Sequence, residues 1–327
     1  MMLLRSFTFI TKTILAAVIL IASGHLARAD KPIIVTTIAQ IADAVSHIVG
    51  DKMEVDSLMG EGVDPHTYRM NRYDVAALTK ADIVLYNGLY LEAQMEDALE
   101  RMATKKPVVP LAETINKSLL LTSQDYEDKN DPHVWMDVRK WMAVTNQALN
   151  VIKKFDPANA DFYDKNTAEY LIKLEQLNGY VETVLSSVPE NERVVISAHD
   201  AFNYFGKAYD FEVVGIQGLS TASEAGLKKI ENLVDLIVTR KIRAVFVESS
   251  VADRNVKALI EGAEARGHNI TIGGTLFSDA MGPAGTYEGT YIGMLDHNAT
   301  VISRALGGEA PLAGMSKQLT LTQHTAN

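Results

Sequence analysis

From Pro32 onward the chain alternates short β-branched runs with stretches of helical periodicity, once on each side of a long helical segment. Residues 32–39, 53–59, 82–87 and 107–111 read as strands, with helices at 40–49, 72–80 and 91–103 between them. A polar, irregular stretch over 116–131 leads into a further helix at 138–155. Alternation of this kind leaves little choice: the strands form a parallel sheet and the helices cover its faces.

The divider begins at Asp156-Pro157, an N-cap residue followed by proline at the first helical position. Phe162, Tyr163, Tyr170, Leu171, Leu174, Leu177, Val181 and Val184 then recur at helical spacing as far as Val188-Pro189. A helix of about thirty residues is about 45 Å long and acts as a strut. Beyond it the pattern resumes, with strands at 193–198, 212–217, 244–248 and 269–273, and helices at 201–209, 223–240, 253–266 and 286–306. The expected fold is α/β, two lobes each with a parallel sheet and covering helices, joined by one long connecting helix. The expected boundaries are a lobe at 30–155, the helix at 156–189, a lobe at 190–309 and a loose tail at 310–327. Two such halves on a strut leave a cleft, and the strut restricts motion across it to small loop or lobe shifts.

The first 29 residues are of another kind. Arg5 and Lys12 precede an apolar run from Ile14 to Ala22, and the segment ends Ala27-Arg28-Ala29, the pattern of a secretory signal peptide cut after Ala29. The apolar run is too short for a spanning helix. Its removal takes away three basic residues and no acid, so the charge falls from −10 to −13. An acidic chain lacks the basic footprint of a nucleic-acid binder. The 327 residues contain no cysteine, which excludes disulfides, thiolate metal sites, a cysteine nucleophile and lipid attachment through an amino-terminal cysteine. The sequence therefore reads as an exported protein free in a periplasm, without a membrane anchor and monomeric, whose site uses nitrogen and oxygen.

Eight histidines are candidates for that site. Ligands of open parallel α/β sheets collect beyond the carboxyl ends of the strands. His25 leaves with the signal, His324 lies in the tail, His47 and His297 fall within helices, and His268 precedes its strand. The remaining three follow strands: His66 in Asp64-Pro65-His66, His133 in Asp131-Pro132-His133, and His199 in Ser197-Ala198-His199-Asp200. In the two Asp-Pro-His strings, proline stiffens the approach and the carboxylate is placed to take the second ring N–H of the imidazole. Each histidine alone reads as structural or catalytic. Three in strand-end loops facing one cleft read as metal ligands. A fourth ligand comes from the same edge, where Asp279 stands among small and apolar residues in Phe277-Ser278-Asp279-Ala280-Met281. It lies too far upstream to cap the helix near Thr286. Glu248, at another strand end, competes for the place and otherwise supports it from outside, as do Asp64 and Asp200.

These strings resemble the TroA-like family, the metal-binding (cluster A-I, or cluster 9) substrate-binding proteins of ABC transporters. The resemblance is carried by residues 62–68 with Asn71-Arg72-Tyr73-Asp74, by 82–88 and 131–138, and by 197–205 with Tyr209, 215–224 and 273–289. It implies a protein that captures one divalent transition metal in the cleft and passes it to an inner-membrane permease. The family's ligand positions fall on His66, His133, His199 and Asp279. Manganese and iron binders of the family often have Glu where this chain has His199. Its dedicated zinc importers carry a histidine-rich acidic loop and lack the Asp, whereas loop 121–131 here holds acids and no histidine. The combination implies zinc or manganese as cargo.

Two other classes compete. A hydrolase would use the same histidines but needs an open metal position for water, which four protein ligands close. The chain also has no His-Glu-x-x-His, Gly-x-Ser-x-Gly, P-loop or Gly-x-Gly-x-x-Gly. An adhesin with a structural metal is the other. The expectation is a binding protein and not an enzyme.

Overall fold

In the computed structural model, which describes residues 31–123 and 128–321, the first half is built on a four-stranded parallel sheet. Its strands, β1 (Ile33–Ile38), β2 (Glu54–Met59), β3 (Ile83–Tyr86) and β4 (Val108–Pro110), lie in the order β2-β1-β3-β4. Ile34 of β1 stands opposite Val55 of β2 and Ile83 of β3, and Leu85 opposite Val109 of β4. Central β1 is buried almost throughout, as a parallel strand covered on both faces must be. Edge strand β2 carries the exposed acids Glu54 and Asp56, which discourage pairing with another chain. The expected signal peptide lies outside the described residues, among which no helix is long and apolar enough to cross a membrane.

The connecting helices are α1 (Ala39–Val49), α2 (Arg72–Lys80) and α3 (Glu96–Ala103). Helix α2 starts on a capping box: Asn71 accepts from the Tyr73 and Asp74 amides, and the Asp74 carboxylate accepts from the Asn71 amide at 2.7 Å. Helix α3 begins five residues later than its periodicity predicts. The reason is Glu92, whose buried side chain accepts hydrogen bonds from the amides of Asn87 and Gly88 and from the Thr37 hydroxyl. That tie holds Gly88, Leu89 and Tyr90 in the left-handed region and turns the chain before a helix can start.

Asp137 caps α4 (Val138–Phe155) by accepting from the Arg139 and Lys140 amides. After a 3-10 turn at Pro157–Asn159 comes α5 (Ala160–Ser186), 27 residues and about 40 Å. Its buried stripe, from Tyr163 and Tyr170 through Leu174, Leu177 and Val181, packs against α1, α4 and α9 (Tyr291–Ala305).

The second half contains β5 (Val194–Ser197), α6 (Asn203–Tyr209), β6 (Glu212–Gly215), α7 (Leu227–Arg240), β7 (Ala244–Glu248), α8 (Arg254–Glu264) and β8 (Thr271–Leu276). Its strands pair in parallel as β5-β6 and β7-β8, with β5 beside β7, rather than as one continuous ladder. Strand β8 also ends later than expected. A bulge between Val245 and Phe246 skips Gly273, where a Cβ would come within 2.7 Å of the Phe246 ring. One hydrophobic core runs through the first half, α5 and α9 and reaches one face of β5 and β7. A second fills their other face under α7 and α8.

The tail expected to be loose is docked as far as residue 321. Leu319 is buried, the Glu309 amide donates to Ser187, and the Met315 and Ser316 amides donate to Asp296 of α9. A buried carboxyl on α9 needs partners, and the tail supplies them.

Candidate metal centre

Each of the four residues singled out from the sequence follows a strand in the structure. His66 lies in the loop after β2, His133 beyond β4 at the start of the turn Val134–Met136, His199 two residues after β5, and Asp279 three residues after β8. The structure brings them together, each offering one ligand atom, with all four atoms within 4.8 Å of one another. The Nε2 atoms of His66 and His133 are 3.2 Å apart. From Asp279, Oδ1 is 3.4 Å from His133 Nε2, and Oδ2 is 3.1 Å from His199 Nε2 and 3.7 Å from His66 Nε2. Ligand bonds of about 2.05 Å in a tetrahedron give edges of about 3.3 Å, and these four separations lie close to that edge.

Burial sharpens the point. His133 and His199 are fully buried, Asp279 is 2% exposed and His66 5%. Nonetheless both Asp279 carboxylate oxygens and His199 Nε2 have no hydrogen-bond partner. Leaving such groups unpaired away from water is costly, and a cation among them removes the cost.

Two imidazoles are aimed from behind by carboxylates. Asp131 accepts from His133 Nδ1 at 2.7 Å and from the His133 amide at 2.9 Å. Glu248 does the same for His199, at 2.5 Å to Nδ1 and 2.9 Å to the amide. In both rings the Nδ1 proton is thereby fixed and the Nε2 lone pair turns toward the cluster. Glu248 thus stands behind His199 and is not among the converging ligand atoms. The Glu248→Gln variant should lower metal affinity about tenfold, read by competition with a chromophoric chelator.

Asp64 departs from the expectation drawn from the paired Asp-Pro-His strings. It accepts from the His66 amide and from the Thr67 and Thr221 hydroxyls, so it shapes the loop without engaging the ring. Asp200 accepts from the Gly215 amide at 2.7 Å, at the end of β6. The other described histidines have separate roles: His47 stacks on Tyr170, His268 meets the Ile242 carbonyl, and His297 the Thr275 carbonyl.

The charges are tightly coupled. Burial disfavours protonated His133, but Asp131 and Asp279 overcome this and raise it to about 9. His199 is likewise pushed down by burial and carried well above the usual range by Glu248 and Asp279. Among the described residues no carboxylate is hydrogen-bonded to the His66 ring, and burial lowers it to about 4 despite Asp279. Burial would raise Asp279, yet the surrounding imidazoles hold it well below the usual carboxylate range. His66 also borders a cavity of about 90 Å³ lined by Leu89, Tyr90, Gln94, Lys129 and Leu219.

Two α/β halves on a long helix, with a buried cluster of imidazoles and one carboxylate drawn from both, define a solute receptor. The family model described as "Zinc-uptake complex component A periplasmic" matches residues 34–305, and the chain belongs to that family, which consists of substrate-binding proteins and not enzymes. The manganese-binding lipoprotein MntA of Bacillus subtilis is 45% identical over 279 residues, 85% of this chain and 91% of that protein. The zinc-binding protein TroA of Treponema pallidum is 45% identical over 281 residues, 86% of this chain and 91% of its own. The solved structure of the periplasmic zinc-binding protein TroA of Treponema pallidum superposes with a TM-score of 0.82 at 44% identity, covering 84% of this chain and 99% of that one. The family resemblance and the two-lobed α/β fold read from the sequence are thereby borne out. Because relatives such as MntA are lipoproteins, they give no support to the expectation of a protein without a membrane anchor.

Proposed function

We propose that this chain captures one divalent transition metal, zinc or manganese, at His66, His133, His199 and Asp279 and delivers it to the permease of an ABC importer. The observation that carries the reading is the buried cluster of four ligand atoms within 4.8 Å of one another, in which both Asp279 oxygens and His199 Nε2 have no hydrogen-bond partner. One close relative is a manganese binder and another a zinc binder, which supports both ions as cargo. Three imidazoles and a carboxylate suit zinc, and divalent affinity rises from manganese to zinc in such donor sets. Neither the hydrolase nor the adhesin reading gains support from the family. The protein works after export, the segment 1–29 serving as a cleavable signal, and the absence of cysteine favours release into the periplasm.

In this reading, the metal enters past His66, the one ligand that borders the cavity, and displaces protons from the other imidazoles. Metal and proton compete for Nε2 of His133 and His199. An imidazole whose proton affinity is raised carries its proton up to higher pH, so affinity increases with pH at least as far as about 9, the value for His133, with His199 raised as well. As pH falls from 8 to 6, affinity should drop about tenfold per unit for each proton displaced. Calorimetry on metal-stripped protein in buffers of different ionisation enthalpy reads both quantities. The expected result is one metal per chain, tighter for zinc than manganese, with net proton release. No uptake of either ion would overturn the proposal.

A further inference from the structure

Asp279 belongs to the second half by chain position, but its backbone is held by side chains of the first. Gln40, the second residue of α1, donates through Nε2 to the Asp279 carbonyl at 2.8 Å. Trp135, two residues after His133, donates through Nε1 to the neighbouring Ser278 carbonyl at 2.9 Å. The third carbonyl in the row, that of Phe277, accepts from Asn298 of α9 at 2.7 Å. Three successive peptide units are thus fixed, and the one carrying the carboxylate is fixed from across the cleft.

Gln40 is an expensive way to fill that place. It is fully buried, and its Oε1 has no hydrogen-bond partner, so half of the amide's polar capacity is unmet. An apolar side chain of similar length would pack there without that penalty. What it would lack is the N–H that reaches the Asp279 carbonyl. The position follows from topology: β1 is an inner strand of the first sheet, and Gln40 lies two residues beyond its carboxyl end, the edge where ligands of parallel sheets collect.

We propose that Gln40 is a positioning residue for the metal carboxylate, fixing the Asp279 peptide so that both carboxylate oxygens face the three imidazoles. The inference rests on the ligand set given above. Gln40 Oε1 has no hydrogen-bond partner and its Nε2 donates to the Asp279 carbonyl, so its polar influence on the site passes through the Asp279 backbone. A metal site tolerates little freedom in its carboxylate: support around a ligand is typically worth ten- to a hundredfold in affinity.

The test is a double-mutant cycle in the full chain, with zinc affinity by chelator competition and the visible absorption of the cobalt(II) form as readouts. Gln40→Met keeps the length of the side chain and removes the donor. It should weaken zinc binding about tenfold and shift the cobalt bands, because the carboxylate geometry changes. In an Asp279→Ala background the same substitution should have no further effect, since nothing remains for it to position. A purely structural role would show the same loss in both backgrounds with unchanged cobalt bands, and would overturn the proposal. If Gln40→Met does not fold, Gln40→Leu removes the same donor and enters the same cycle. If Asp279→Ala alone leaves affinity unchanged, the ligand set is wrong, and the role of Gln40 falls with it. If Asp279→Ala weakens binding while neither Gln40 variant does, the ligand set stands and the positioning role is refuted.

Discussion

Asp279→Ala is expected to lower zinc affinity by roughly a hundredfold, and to move the pH dependence of binding downward at the same time. Four-ligand zinc sites bind with about 10–16 kcal/mol in all, so one ligand carries about 3 kcal/mol. Two effects then oppose each other. The metal loses its one direct carboxylate, but His133 and His199 lose a neighbour that strengthens their hold on protons. Proton competition therefore weakens, and binding in the variant should persist to lower pH relative to its own maximum. The combination of a weaker site and a less pH-sensitive one distinguishes a lost ligand from general damage, which lowers affinity without relieving proton competition. Titrations of zinc at pH 6, 7 and 8 on both proteins read it. Unchanged affinity in Asp279→Ala and in His199→Ala would remove both residues from the ligand set.

The four clustered residues were legible because parallel α/β topology converts sequence order into location. A histidine just after a β-branched run lies at the carboxyl edge of a sheet, and two halves on a strut turn those edges toward each other. The supporting residues were not legible to the same degree. Glu248 stands 49 residues from His199, and Gln40 stands 239 residues from Asp279. Nothing in local periodicity says which strand end will lie beside which. Asp64 shows the limit of motif reading: its string matches that of Asp131, yet its carboxylate turns to the Thr67 and Thr221 hydroxyls instead of the imidazole. The late start of α3 has a similar origin. Periodicity carried the helix back to 91, but Glu92 satisfies amides at the end of β3 and holds the chain in a turn.

The docked tail leads to the second large effect, on stability. Asp296→Ala should cost about 4 kcal/mol, or about 10 °C in the unfolding midpoint of a chain this size. The residue is fully buried, and its carboxyl accepts from the Tyr287 hydroxyl at 2.8 Å, the Thr300 hydroxyl at 3.2 Å and the Met315 amide at 3.0 Å. Alanine removes every acceptor at once and leaves those donors facing a cavity, the costly direction of an unmade hydrogen bond. Asp296→Asn keeps one acceptor oxygen but turns an amide toward the donors, so it should recover only part of the loss. The tail is held to α9 through this carboxyl, so it should become the first site cut in limited proteolysis. Zinc affinity at saturating folded fraction should be unchanged, because Asp296 is not part of the ligand cluster. Thermal unfolding of the metal-free variants, followed by brief proteolysis and mass analysis of the carboxyl terminus, tests the claim. A tail that remains protected in Asp296→Ala would mean that Leu319 and the Ser187–Glu309 contact suffice to hold it.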